Sequence, residues 1–154
     1  MKLVEIIPFE RKYAHHFYNL NVEWLEKYFY VEPYDENVLS NPLEYVINPG
    51  GYIFFAKYND EIVGVVSLIN QKTFFELSKM AVSPKYQGLK IGHQLMDFCI
   101  TFAKKKGWKS ITLYSHRSLE SAIHLYKKVG FKEIPLEEKS HYKRSDIKML
   151  LELE

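Results

Sequence analysis

The chain has 154 residues and a mass of 18.3 kDa, the size of one domain able to build its own core. Hydrophobic residues make up 47% and charged residues 26%, which excludes a largely disordered chain, and no apolar run approaches the ~20 residues that span a bilayer. A net charge of +2 is too small to argue for nucleic acid, and the single cysteine, Cys99, allows neither an internal disulfide nor a cysteine-rich zinc site.

Glu5 interrupts the N-terminus before the apolar core of a secretion signal could form, so one cytoplasmic domain over residues 1–154, with no membrane partner, is expected. The charge is unevenly spread. Six acids and one base lie between Asn21 and Gly50, whereas ten Lys/Arg face two acids between Ser83 and Lys132. Two solvated surfaces account for this, and so does one face for an anionic ligand with another for something cationic.

Leu3 to Pro8 predicts a strand ended by proline. Arg11 to Tyr28 carries Ala14, Phe17, Tyr18, Leu20, Trp24 and Leu25 at roughly helical spacing. From Phe29 to Gly51 the pattern dissolves among Pro33, Pro42, Pro49 and Gly50-Gly51, with a helical turn expected only near Leu43 to Ile47. Tyr52 to Tyr58 and Glu61 to Ile69 read as strands joined at Asn59-Asp60, a two-residue hairpin turn. Phe74 to Val82 is a third strand, ended by Ser83-Pro84.

Gly92 to Lys106 is the clearest helix, with Leu95, Phe98, Cys99, Phe102 and Ala103 in one stripe, three lysines in the last turn and Gly107 as its stop. Ser110 to Ser115 follows as a strand and Ser118 to Val129 as a helix, with Leu119, Ala122, Ile123 and Tyr126 on one face. Phe131 to Ile134 and Asp146 to Leu153 complete the set, the last alternating Ile147, Met149, Leu151 and Leu153 with other residues. This order predicts an α/β fold with a sheet of mixed direction and helices on its faces.

The segment Leu77 to Gly92, LSKMAVSPKYQGLKIG, runs a strand into a glycine-containing loop that opens the strongest helix. The first amides of a helix lack internal partners and sit at the positive end of its dipole, so this loop suits an anion; a plain strand-to-helix turn fits the same residues. Leu77, Met80 and Val82 are spaced three then two, which a regular strand cannot place on one face. A β-bulge restores the register and splays the strand from its neighbour. The unpaired backbone of a splayed strand can pair with an extended amide-containing ligand.

The ordered segments NDEIVGVVSL, ELSKMAVSPKYQGLKIG and SAIHLYKKVGF, between Tyr52 and Phe131, resemble the GNAT superfamily of acetyl-CoA-dependent N-acetyltransferases. The resemblance implies a mostly antiparallel mixed sheet with a splayed central strand pair and helices on both faces. It implies that the backbone of Met80, Ala81 and Val82 pairs with the pantetheine arm of acetyl-CoA. It also implies that the amides of Gln87, Gly88, Leu89, Lys90, Ile91 and Gly92 hold the pyrophosphate. Two positions depart from the family pattern: Lys90 stands where a glycine is usual, and Leu119 where many relatives carry an asparagine.

Tyr126 sits on an apolar helix stripe, where a tyrosine commonly packs as core. Its match to the family's tyrosine-bearing motif implies instead a general acid for the departing CoA thiolate. Glu76 stands where many relatives place a carboxylate that relieves the acceptor ammonium of its proton through a water; a solvated strand carboxylate is the alternative. Amides near Met80 would polarise the thioester carbonyl, and the place of Cys99 in a buried stripe favours direct attack over an acyl-cysteine.

The six histidines show no metal-ligand spacing, so no metal is expected. Arg144 reads as an ion-pair partner of Asp146 or Glu138, or of a substrate carboxylate. Trp24, Tyr28, Phe29, Tyr30 and Tyr34 line an acceptor cleft or pack as core. The expected activity is transfer of acetyl from acetyl-CoA to a primary amine, of a small molecule or a peptide, in a ternary complex. The rival is a non-catalytic acyl-CoA-binding or sensing module of the same fold. A homodimer is left open.

Overall fold

The computed structural model describes residues 3–86, 88–138 and 142–154. A seven-stranded sheet carries β1 (Glu5–Pro8), β2 (Tyr52–Tyr58), β3 (Glu61–Asn70), β4 (Phe75–Val82), β5 (Ser110–Ser115), β6 (Lys132–Ile134) and β7 (Ile147–Glu152) in the spatial order β1-β2-β3-β4-β5-β7-β6. Every neighbouring pair is antiparallel except β4 and β5. The helices are α1 (Ala14–Tyr28), entered through a 3-10 turn at Arg11–Tyr13, α2 (Pro33–Ser40), α3 (Ile91–Lys106) and α4 (Glu120–Val129).

Two apolar clusters sandwich the sheet. Phe17, Leu20 and Leu25 of α1 and Val38 and Leu39 of α2 pack with Ile53, Phe55 and Val65 on one face. Leu95, Met96, Cys99 and Ala103 of α3 pack with Phe54, Val66 and Leu68 on the other, where α4 adds Ile123, Leu125 and Tyr126. All of β3 from Val63 to Ile69 is buried, as a central strand covered on both sides must be. Gly64 lies directly under α3: a β-carbon there would lie 3.1 Å from Ile91 Cγ2 and 3.2 Å from Leu95 Cδ1. That contact gives the glycine of the NDEIVGVVSL segment a packing role.

The hairpin turn is as expected, with Asn59 and Asp60 both at positive φ, the geometry whose twist matches two antiparallel strands. The segment between α1 and β2 is a correction. It holds the eight-residue α2 where irregular chain was expected, followed by a π-type turn at Leu43–Ile47. Pro33 occupies the first helical position, where its missing N–H costs nothing, and the Glu32 amide donates to Asp35 Oδ2 at 3.0 Å. Proline and capping acids thus start a helix here rather than break one.

Candidate active site

The site begins with a failure of strand pairing. β4 meets β5 at a single parallel register, Glu76 opposite Thr112, and beyond it the strands diverge. On the other side of β4, Val65 faces Ala81 while Ser67 faces Ser78, so three steps of β4 oppose two of β3. The extra residue is a β-bulge in which Lys79 takes φ +55°. It lets Leu77, Met80 and Val82 all pack on the α3 side of the sheet, as their spacing predicts.

A cavity of about 480 Å³ opens at this divergence. Glu76 to Met80 of β4 and Leu113 to Ser115 of β5 form its floor, and Leu119, Ala122 and Tyr126 lie along one wall. Trp24, Tyr28 and Phe29, from the end of α1, form another. The predicted site residues Glu76, Met80 and Tyr126 are therefore brought to one cavity. Tyr30 is exposed, and Tyr34 packs edge-on against Tyr142 with ring centroids 5.5 Å apart.

Glu76 is 1% exposed, so it is no solvated strand carboxylate. Its Oε1 accepts from the Gln71 side-chain amide at 2.8 Å and its Oε2 from the Tyr142 hydroxyl at 2.9 Å. Both partners are neutral. The Tyr142 oxygen also lies 3.2 Å from Ser78 Oγ, and burial, with the Glu76 charge beside it, pushes its phenol well above the ordinary range.

Tyr126 stacks edge-on against Phe131, with centroids 6.0 Å apart. Its hydroxyl has no hydrogen-bond partner among the described residues and is not sealed from the cavity. Burial pushes this phenol up as well, so it holds its proton at neutral pH. Cys99 is fully buried in the α3 core, its thiol pushed up to about 12 by burial, and it does not line the cavity.

Beneath the cavity lies an ion cluster that only folding assembles. Lys79 Nζ meets Asp35 Oδ1 at 2.5 Å, and both side chains are nearly inaccessible. Arg144 reaches Asp35 Oδ2 at 2.5 Å, Asp35 Oδ1 at 3.0 Å and Glu32 Oε2 at 2.8 Å. The Lys143 amide donates to Glu32 Oε1 at 2.8 Å. Arg144 is thus an ion-pair partner, as expected, but of Glu32 and Asp35 rather than of Asp146 or Glu138. Glu32 caps α2, the helix absent from the sequence reading, and Asp35 lies in its first turn. Burial works to raise Asp35, but Arg144 and Lys79 outweigh it and hold the carboxyl below its usual range. The Glu-Pro-x-Asp start of α2 was the one available signal for Glu32 and Asp35; nothing local marks Lys79.

The loop before α3 has the features an anion site needs. Gly88 takes φ +90° with nothing within 4 Å of where a β-carbon would stand. Lys90, the helix N-cap, adopts the left-handed geometry, φ +57° and ψ +32°, so it takes the conformation that the family's glycine would favour. The first helical bond runs from the Gln94 amide to the Lys90 carbonyl, which leaves the amides of Ile91, Gly92 and His93 ahead of the helical ladder. Gln87 lies outside the described residues.

The acetyltransferase (GNAT) family profile matches residues 12–131. A stretch of 83 residues is 37% identical to a probable N-acetyltransferase 14 of Xenopus tropicalis, covering 52% of this chain and 40% of that protein. The chain spans less than half the length of the first curated relatives it matches. Among solved structures, a GNAT-family acetyltransferase of Staphylococcus aureus Mu50 superposes with a TM-score of 0.86 at 25% identity, covering 99% of this chain and 100% of that one. The PaiA N-acetyltransferase of Thermoplasma acidophilum, solved in complex with coenzyme A, superposes with a TM-score of 0.75 at 20% identity over 97% and 99%.

Proposed function

The chain belongs to the acetyltransferase (GNAT) family, and from that premise we propose that it transfers the acetyl group of acetyl-CoA directly to a primary amine. The observation that carries this reading is the meeting of Glu76, Met80 and Tyr126 at one cavity where β4 and β5 part. In a coenzyme A complex the amides of 88–92 would take the pyrophosphate, and the free backbone beside the bulge would pair with the pantetheine amides. The spacious turn at Gly88 and the unpaired first amides of α3 fit that group.

The attacking amine must lose a proton, and Glu76 takes it through a water. Its two neutral donors hold the carboxylate in place without neutralising it. As nitrogen attacks the thioester carbon, charge grows on the carbonyl oxygen, and the amide beside Met80 stabilises it. Collapse breaks the carbon–sulfur bond, and the Tyr126 hydroxyl gives its proton to the departing thiolate. The enclosure that raises the phenol also raises the basicity of a thiolate formed beside it, so the transfer stays feasible.

The test is a panel of amines followed by free-thiol release, with the acetylated product identified by mass. Thiol release that depends on an amine and yields its acetamide supports the reading. Saturable coenzyme A binding with no product across the panel supports a binding or sensing module instead.

A further inference from the structure

The charges around the cavity do not balance. Three buried carboxylates are gathered here, Glu76 on its floor and Glu32 and Asp35 in the ion cluster beneath it, each 3% exposed or less. Two basic side chains accompany them, Lys79 and Arg144, and both are engaged by the acids of that cluster, Lys79 by Asp35 and Arg144 by Asp35 and Glu32. The third basic side chain among the described lining residues, His116, is also engaged: its Nδ1 accepts the Ser118 amide at 3.0 Å and its Nε2 lies 3.4 Å from Asp146. Among the described residues, Glu76 has the Gln71 amide and the Tyr142 phenol as its hydrogen-bond partners, both neutral. Of the two carboxylates on the lining, Glu120 is exposed to solvent, and Glu76 is the buried one left facing the cavity without a counter-charge.

The remaining wall is aromatic. Trp24 lies 5.1 Å from Tyr28 and 5.9 Å from Phe29, and Phe29 meets the edge of His116 at 5.4 Å. We infer that the acceptor is a primary amine with an aromatic or apolar arm and no carboxylate near its reacting nitrogen, the ammonium being drawn to Glu76 and the arm to this wall. The inference rests on the acetyl-transfer reading of the same cavity. A carboxylate on the carbon beside the nitrogen would enter a site with an excess negative charge and no free cation among the described lining residues. Recruiting Arg144 would take the guanidinium away from Asp35 and Glu32 while they stay buried, which is unfavourable. A uniform aromatic wall with one polar anchor suits a single ammonium group carried on a ring or chain.

Three probes share one arm and differ in charge near the nitrogen: phenethylamine, phenylalaninamide and phenylalanine. Their binding to the protein–coenzyme A complex is measured by titration calorimetry, at a pH where all three amines are protonated, alongside acetylation rates. We expect the first two to bind within about tenfold of each other. Phenylalanine should bind roughly a hundredfold more weakly than its amide, the size set by one unit charge several Å from another at a half-enclosed site. In Glu76→Gln, which keeps the shape, phenylalanine should close to within a few-fold of its amide. Equal binding of phenylalanine and its amide to the unaltered protein overturns the inference, as does a discrimination that survives intact in Glu76→Gln, or no binding of phenethylamine at millimolar concentration. If the binding order holds but no probe is acetylated, the charge argument stands and the acetyl-transfer reading fails.

Discussion

The Tyr142 hydroxyl donates to Glu76 Oε2 at 2.9 Å, joining the approach to β7 to the strand that carries the bulge. The two residues are 66 positions apart, and the contact forms where β4 and β5 begin to separate. It turns a strand carboxylate into one held at a fixed place on the cavity floor. Gln71 secures the other oxygen, so Glu76 can accept a proton without first having to be oriented.

Glu76→Gln should lower turnover most at the acidic end of the pH range and leave coenzyme A affinity within a few-fold. At higher pH more acceptor amine is already neutral, so less depends on the carboxylate and the defect shrinks. A loss of about 10²-fold at low pH is the size of one general base. The check is kcat against pH for both proteins; a defect that is the same at every pH assigns Glu76 to positioning alone.

Tyr126→Phe keeps the ring against Phe131 and removes a hydroxyl with no described protein partner. Stability should therefore move by less than about 1 kcal/mol, because no intramolecular hydrogen bond is lost. Turnover should fall by about 10²-fold while acetyl-CoA still binds. A thioester donor whose thiol has a low pKa needs less help in leaving, so the variant should recover most of its rate with it. Equal impairment with both donors, in a chemistry-limited assay, counts against proton donation by Tyr126.

Two substitutions separate the pyrophosphate loop from the rest of the fold. Gly92→Asp places its β-carbon 3.8 Å from Met80 Sδ and 4.0 Å from Val82 Cγ2, ordinary contacts, and an acid in the first turn suits the helix dipole. The protein should keep its melting temperature, yet coenzyme A should bind about tenfold or more weakly because the new charge meets the diphosphate. Gly88→Pro imposes a negative φ where the chain needs +90° and should also weaken binding by distorting the loop. Unchanged affinity by calorimetry in both folded variants removes the loop from the site.

Asp35→Asn should destabilise the fold by about 3–5 kcal/mol, since it leaves Lys79 buried without its counter-charge. Because Asp35 is held below its usual range, its ionised form contributes stability that is fully present above the ordinary carboxylate pKa of about 4. That contribution is lost as pH falls through the lower, folded value. The unaltered protein should therefore lose its advantage over Asp35→Asn as the medium is acidified below about pH 4, which thermal melts across pH would record.

Much of this molecule is legible in one dimension. The sheet strands, α1, α3, α4 and the bulge before Met80 follow from apolar periodicity, because side-chain direction repeats every two or 3.6 residues whatever the rest of the chain does, and the Asn59-Asp60 turn follows from its residue types. The ordered motifs between Tyr52 and Phe131 likewise single out the loop before α3, Glu76 and Tyr126 as candidates. What periodicity could not reach was the helix α2 and the ion cluster it supports. Pro33 reads locally as a breaker, and becomes a first helical residue only when Glu32 and Asp35 cap it. The burial of Lys79 likewise has no local cause. It depends on Asp35 from 44 positions away and on the ring of Tyr142, 4.5 Å from its Nζ. The charge left facing the cavity at Glu76 is a difference between residues of α2, β4 and the segment before β7. Such a difference exists only once the fold has decided which charges cancel.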